Sequence, residues 1–269
     1  MNWITLNNKK QIPIIGSGTN TFGKVNNDYS ADINFDTTEL QSAITNGYRH
    51  FDTAISYRNE AVIGKAIAES DVPREEFFIT SKLPGKPEYT KDEATIDEAV
   101  KNSLEAFQTD YIDLYLIHHP WDNDEEMVAT WKVLEKHAKA GTLKSIGVSN
   151  FSKEQLQLIL DNATIKPTVN QIKSHPGEWN HEVIEFGREH DVYAEAWSPL
   201  SGVSDADRER LNAIGEQYGK SWAQVVLNFQ IDREVIVIPK SHNFDRQKSN
   251  LEVFDFELTE EEKQEIYNL

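Results

Sequence analysis

The sequence contains no cysteine, which excludes disulfide bonds, thiolate nucleophiles and cysteine-based metal sites. It also lacks any apolar run that approaches the roughly 20 residues needed for a membrane-spanning helix. Residues 1–10 lack the apolar core and the small-residue cleavage site of a secretory signal. These absences predict a soluble protein of a reducing compartment, and we expect it in the cytoplasm without a membrane partner.

Basic residues are also scarce, since 27 Lys and Arg face 45 Asp and Glu and the formal net charge is -18. A nucleic-acid-binding protein needs a concentrated basic face to contact phosphates, and no such cluster is present. The acidity is typical of a soluble protein that avoids non-specific association. We therefore expect a small-molecule ligand and no nucleic-acid partner.

Eight short apolar segments alternate with helix-like segments along the chain. Their nearly continuous apolar character is typical of parallel strands covered on both faces. They span 12–16, 48–53, 77–82, 111–118, 143–149, 168–172, 192–197 and 235–239. Eight such units predict an α/β fold, a (β/α)8 TIM barrel after an N-terminal hairpin, with an open doubly wound sheet as the alternative. No linker-like segment divides the chain, so we expect one domain over residues 1–269.

Capping patterns mark several helix ends. An oxygen-bearing side chain three residues before an acid or amide predicts a helix start. Such pairs are Asp36 with Glu39, Thr90 with Glu93, Ser152 with Gln155 and Thr259 with Glu262. Gly141 predicts a helix end.

The sequence matches two phosphate-binding motifs in part, but each match lacks a required residue. Residues 18–24 match most of a P-loop, yet Val25 replaces the magnesium-binding Ser or Thr and no helix pattern follows. The third glycine of a dinucleotide-binding fingerprint is missing after Gly16 and Gly18. We interpret this segment as a glycine-rich loop at a barrel mouth, so that any dinucleotide is held by other groups.

Three ionisable side chains, Asp52, Lys82 and His118, close successive predicted strands. In a barrel these strand ends share one mouth, and Tyr57 follows the first of them. A free tyrosine has a pKa of about 10, and a nearby ammonium lowers it, which helps a phenol to protonate a carbonyl oxygen. A carboxylate keeps that ammonium charged, and a histidine can orient the substrate oxygen. Singly each residue has a structural explanation, but together they predict a reductive site.

Six motifs then resemble those of aldo-keto reductases, from the first strand to the last helix. They lie at residues 51–60, 80–84, 113–118, 147–151, 170–171 and 238–241. The resemblance implies an NADP-dependent oxidoreductase that reduces aldehydes, ketones or α-dicarbonyls to alcohols. It further implies a catalytic tetrad of Asp52, Tyr57, Lys82 and His118, no metal and a monomer.

The resemblance also implies which residues bind NADPH. These are Gly18, Thr19, Ser149, Asn150, Gln171, Trp197, Ser198, Leu200, Lys240, Ser241, Arg246 and Asn250. Ser149, Asn150 and Gln171 would bind the nicotinamide carboxamide, and Trp197 would stack on the ring where the family usually has tyrosine. Lys240, Ser241 and Arg246 would hold the adenosine 2′-phosphate, which predicts a preference for NADPH over NADH.

Three residues that follow strand ends are candidates for the substrate pocket. Phe22, His119 and Trp121 either form its walls or pack beneath loops. His119 replaces a tryptophan common in the family, which makes more polar substrates plausible. The short segment 201–207 and the absence of a longer C-terminal loop predict an open site that resembles microbial diketogluconate and small-carbonyl reductases.

Two other functions remain open at this point. One is a nucleotide-binding regulatory subunit on the same scaffold with little turnover. The other is a barrel isomerase or lyase in which Lys82 forms a Schiff base. The complete tetrad favours the reductase.

Overall fold

The computed structural model describes residues 2–269, in which a small hairpin precedes a parallel barrel. The antiparallel hairpin consists of β1 (Trp3–Thr5) and β2 (Gln11–Pro13). The parallel strands are β3 (Ser17–Gly18), β4 (His50–Asp52), β5 (Phe78–Leu83), β6 (Ile112–Ile117), β7 (Leu143–Ser149), β8 (Val169–Lys173), β9 (Tyr193–Trp197) and β10 (Ile236–Val237). Neighbours in sequence are neighbours in the sheet, and a parallel bridge from Ile15 to Val237 joins its two edges. The predicted barrel is confirmed, and the open sheet is wrong.

Helices cover the outside of the barrel between the strands. They are α1 (Thr38–Asn46), α2 (Glu60–Ala68), α3 (Pro87–Thr90), α4 (Glu93–Phe107), α5 (Asp124–Ala140), α6 (Lys153–Asn162), α7 (His181–Glu189), α8 (Asp205–Glu216), α9 (Trp222–Asp232), α10 (Phe244–Leu251) and α11 (Glu260–Tyr267). Their apolar faces pack on the sheet, as the full burial of Val100, Trp131 and Leu134 shows. Within residues 2–269, none of the helices combines the length and apolar character needed to cross a bilayer.

The predicted first barrel strand at residues 12–16 is wrong in its boundaries. Residues 11–13 belong to the hairpin, and residues 14–16 hydrogen-bond with the last strand. The amide of Gly16 donates to the Val237 carbonyl at 2.8 Å, and the Val237 amide donates to the Ile14 carbonyl at 2.9 Å. The run appears continuous in the sequence because residues that pair in the hairpin are followed directly by residues that pair with the last barrel strand.

The predicted helix ends are confirmed where no other residue close to the helix end forms the cap instead. Ser152 and Thr259 form the predicted capping boxes, and Gly141 ends α5 with a positive φ of 80°. The boxes predicted from Asp36 and Thr90 are wrong. Asp36 instead accepts from the Thr38 amide, and Asp92 caps α4.

Candidate active site

The structure brings the four predicted tetrad residues together at the carboxyl ends of the strands. Asp52 ends β4, Lys82 lies next to the end of β5, and His118 follows β6 directly. Tyr57 ends a short 3₁₀ helix, Ile55–Tyr57, that follows β4. The Lys82 Nζ lies 5.1 Å from the centre of the Tyr57 ring. The Tyr57 and His118 ring centres are 5.6 Å apart. Tyr57 and His118 therefore face one reaction space, with Lys82 and Asp52 next to it.

Lys82 and Asp52 form a buried ion pair beneath this space. The Lys82 Nζ donates to both Asp52 carboxylate oxygens and to the Thr53 carbonyl, each at 2.8 Å. Burial is the largest single influence and would lower the pKa of Lys82, but the charge of Asp52 and the other groups around the ammonium together outweigh burial and raise it. The side chain is therefore an ammonium at neutral pH.

Two opposing effects act on the Tyr57 hydroxyl. Burial raises the pKa of Tyr57, and the Lys82 ammonium opposes that rise. The predicted influence of Lys82 has the expected sign, but burial is larger, so the phenol is not unusually acidic overall. Tyr57 consequently keeps its proton at neutral pH, as a general acid must.

His118 is a neutral imidazole. Burial, followed by the positive charge of Lys82, lowers the pKa of His118 to about 2. Its Nδ1 is buried and has no hydrogen-bond partner within residues 2–269. Its ring stacks on His119, with centres 4.3 Å apart. His118 lines the pocket, and a neutral imidazole can donate one N–H to a carbonyl oxygen there.

Gln171 connects the tetrad to a third carboxyl group. Its Nε2 donates to Asp52 Oδ2 at 2.7 Å and to Glu195 Oε1 at 2.8 Å, which leaves the Gln171 oxygen for a donor such as a carboxamide. The sequence analysis missed Glu195. An acid two residues before Trp197 in an apolar strand faces the same side, and that period of two is the signal that could have found it.

Trp197 and Asn150 hold each other at the pocket wall. The indole Nε1 donates to Asn150 Oδ1 at 2.9 Å, and the Asn150 amide contacts His119 Nδ1 at 3.0 Å. Asn150 is placed for this by a left-handed backbone with a φ of 62°. Its expected bond to nicotinamide would replace one of these contacts, so that role stays a prediction.

A cavity of about 840 Å³ extends from the tetrad along the barrel mouth. Nine of the predicted cofactor residues line it, namely Gly18, Thr19, Ser149, Asn150, Gln171, Trp197, Ser198, Leu200 and Lys240. The other three, Ser241, Arg246 and Asn250, lie beyond its end on and before α10. The cavity therefore extends from the tetrad to Lys240, which lies before the start of α10, and this suits a long dinucleotide with a phosphate at its far end.

That far end contains groups that suit an anion. The Lys240 ammonium is held by Asn20 Oδ1 at 2.8 Å and Thr21 Oγ1 at 3.0 Å. Asn243 caps α10 by accepting from the Arg246 amide at 2.9 Å, while the Arg246 side chain is exposed. Asn250 is only 5% exposed, so it is less accessible to the cofactor than the exposed Lys240 and Arg246.

The three predicted substrate residues have different positions. His119 lines the cavity. Phe22 is fully buried against His242, and Trp121 packs under Gly85, positions that agree with packing beneath loops. The part of these two residues in substrate binding stays a prediction. The sequence analysis missed other lining residues at this end, namely Tyr29, Ser56, Pro84, Gly85, Lys86 and Pro120.

The incomplete P-loop has a structural role. The ammonium of Lys24, 2% exposed, donates to the Tyr29 carbonyl at 2.7 Å, and Arg58 donates to the same oxygen at 3.1 Å. Burial, followed by the charge of Arg58, lowers the pKa of Lys24 to about 8. These bonds hold the Tyr29 ring 5.9 Å from the Tyr57 ring. The motif thus positions a pocket wall.

Comparisons with known proteins agree with this site. Residues 14–269 match the model of the aldo/keto reductase family. Glyoxal reductase of Bacillus subtilis (strain 168) is 40% identical over 265 residues, which cover 98% of this chain and 91% of that protein. Methylglyoxal reductase DkgA of Escherichia coli O157:H7 is 39% identical over 234 residues, covering 86% and 83%. The structure of a Bombyx mori aldo-keto reductase in complex with NADP has a TM-score of 0.87 at 33% identity and covers 99% of this chain and 92% of that one. The chain belongs to the aldo/keto reductase family.

Proposed function

We propose that this protein reduces small, polar aldehydes, ketones and α-dicarbonyls to alcohols with NADPH. The observation that carries the proposal is the protonated Tyr57 hydroxyl between the Lys82 ammonium and the neutral His118 ring. The similarity to a glyoxal reductase and a methylglyoxal reductase supports the α-dicarbonyl class. The polar wall at His119 and Lys86 supports polar substrates.

The roles of the residues follow from their charges. NADPH, when bound, supplies the hydride to the carbonyl carbon. Tyr57 gives its proton to the carbonyl oxygen, and Lys82 stabilises the phenolate that remains. His118 orients the oxygen by a hydrogen bond. One hydride and one proton added to the carbonyl group give the alcohol.

A substrate panel tests the reaction. Purified protein mixed with NADPH and glyoxal, methylglyoxal or glyceraldehyde should consume the absorbance of reduced nicotinamide. Tight NADPH binding without consumption across the panel would favour the regulatory-subunit alternative. The Schiff-base alternative is disfavoured because the Lys82 nitrogen already donates to three oxygens and is charged.

Preference for NADPH should depend on Arg246. Charge-assisted bonds contribute about 1.5–3 kcal/mol, so Arg246→Ala should raise the KM for NADPH by roughly 10-fold or more and leave the KM for NADH nearly unchanged. Lys248→Ala, on the same helix, is the matched control and should change neither constant. Initial rates with both cofactors provide the measurement. An equal rise for both cofactors would contradict a phosphate contact.

Substrate polarity should depend on His119. His119→Trp adds an apolar wall, and burial of roughly 55 Å² of additional apolar surface corresponds to about 1.4 kcal/mol, or a tenfold lower KM for benzaldehyde. Methylglyoxal is too small to gain as much, so its KM should change less. Equal changes for the two aldehydes would show that His119 does not contact the part of the substrate beyond the carbonyl.

We further propose that the protein is a cytoplasmic monomer with one domain over residues 1–269. The first and last parts of the barrel pair with each other, and the Tyr48 hydroxyl donates to the Gln247 carbonyl on α10 at 3.0 Å. A net charge of -18 opposes self-association. Light scattering would test the monomer.

A further inference from the structure

Glu195 is a buried acid inside the barrel that none of the steps above uses. It lies in β9 opposite Gln171 of β8 and Ile236 of β10, and its exposed fraction is 0%. Its Oε1 accepts the Gln171 bond at 2.8 Å. Its Oε2 is buried and has no hydrogen-bond partner within residues 2–269. A buried oxygen without a donor destabilises a charged carboxylate, because nothing replaces the lost hydration.

A continuous chain of hydrogen bonds links Glu195 to the catalytic ammonium. Gln171 uses its second amide hydrogen on Asp52 Oδ2 at 2.7 Å, and Asp52 accepts from Lys82 at 2.8 Å. The chain crosses the barrel interior from β9 through β8 and β4 to β5. A change at Glu195 can therefore reach Lys82 through contacts and through charge.

The charges around Glu195 favour its protonated form. The ionisable groups that face it are Asp52 from β4 and Lys82 from β5, while Gln171 from β8 is neutral. Since Asp52 already neutralises Lys82, an ionised Glu195 would be a second carboxylate for one ammonium. Burial, followed by repulsion from Asp52, raises the pKa of Glu195 to about 8, and Lys82 only partly opposes this.

We propose that Glu195 is a positioning residue for proton transfer. Its uncharged carboxyl group holds Gln171 against Asp52 and leaves the field of the Lys82 ammonium free to act on Tyr57. This rests on the proposed function. When Glu195 loses its proton, two carboxylates share the ammonium, the phenolate form of Tyr57 becomes less favourable, and proton donation slows. The reductase rate should therefore fall at alkaline pH, with part of the fall assigned to Glu195.

Glu195→Gln tests this, because the amide has the same shape, still accepts from Gln171 and never ionises. The single-turnover rate of methylglyoxal reduction should be measured from pH 6 to 10, so that product release does not mask proton transfer. The ratio of the rate at pH 7 to that at pH 9.5 should fall by at least about threefold relative to wild type, because the step near pH 8 is removed. Normalised profiles that coincide would overturn the proposal.

Glu60→Gln is the matched control. Glu60 also has a pKa raised by burial, but its carboxylate accepts from Ser81 and Ser103 instead of Gln171. Its normalised pH profile should coincide with that of wild type, and a shift equal to that of Glu195→Gln would overturn the specific role of Glu195.

An infrared measurement keeps the proposal testable if the variant is poorly folded. Wild-type protein should contain a protonated carboxyl band that disappears near pH 8, and the absence of any such titration would overturn the proposal. An inactive wild type would refute the proposed function itself. An active wild type whose pH profile Glu195→Gln does not alter would refute the role of Glu195 alone.

Discussion

Tyr57→Phe should reduce the rate of carbonyl reduction by roughly 10²- to 10⁴-fold, the usual contribution of a positioned general acid. The substitution removes one oxygen and its proton and keeps the ring that packs edge-on against Tyr29 and His118. The other two ionisable members of the tetrad near Tyr57 are poorly suited to replace this proton donor. Lys82 is committed to Asp52 and Thr53, and His118 is held neutral by burial.

Binding of NADPH provides the control for this variant. Because Tyr57 lies at the tetrad and the cationic residues lie near α10, the dissociation constant measured by fluorescence quenching should change by less than about threefold. Stopped-flow measurement of hydride transfer gives the rate. A variant that turns over within a few fold of wild type would contradict the assignment of the proton to Tyr57, and a variant that no longer binds NADPH would assign the residue a binding role instead.

The barrel and the tetrad could be predicted because both depend on local patterns. Seven of the eight barrel strands overlap a predicted apolar run. A polar residue at the end of such a run must lie at the mouth once the strands are parallel. Asp52, Lys82 and His118 needed no knowledge of which strands pair. The strand order is equally direct, since neighbouring strands in sequence are neighbours in the sheet.

The features that the sequence did not predict correctly depend on contacts between segments that lie far apart in the chain. The apolar run at residues 12–16 is divided because Val237, more than two hundred residues away, takes the amide of Gly16. Phe22 and Tyr29 lie in one loop, and which of them faces the pocket is decided by the bonds of Lys24 and Arg58 to the Tyr29 carbonyl. Such bonds leave no periodic pattern in the sequence of a loop, so the sequence does not predict them.

The sequence also did not reveal how burial and nearby charges combine to set the pKa of a side chain. The sequence showed an ammonium next to a phenol and therefore the sign of its effect on the pKa of Tyr57. Burial raises the pKa of Tyr57 by more than Lys82 lowers it, so the net shift is upward. The burial of a side chain depends on the whole fold, and the neighbouring residues in the sequence do not reveal it. For the same reason Glu195 appeared only as one acid in an apolar strand, without its link to Gln171.

Lys82→Met should produce the second large effect, a loss of both activity and stability. The methionine fills a similar volume but leaves the Asp52 carboxylate buried without its counter-charge. Breaking a fully buried ion pair by removing one partner costs about 3–5 kcal/mol of unfolding free energy. Reduction should fall by roughly 10² or more, because the Tyr57 phenolate loses its stabilising charge. Urea unfolding and single-turnover kinetics measure the two effects separately.

A double-mutant cycle with Asp52→Asn identifies the cause. If the loss of stability comes from an uncompensated carboxylate, Asp52→Asn together with Lys82→Met should be more stable than Lys82→Met alone, although both members of the pair are gone. Activity should not recover in the double variant, since the ammonium near Tyr57 is still absent. Simple additivity of the two unfolding free energies would mean that packing, and not the charge of Asp52, accounts for the loss. Recovery of the rate in the double variant would show that Lys82 acts only by neutralising Asp52 and not by stabilising the phenolate.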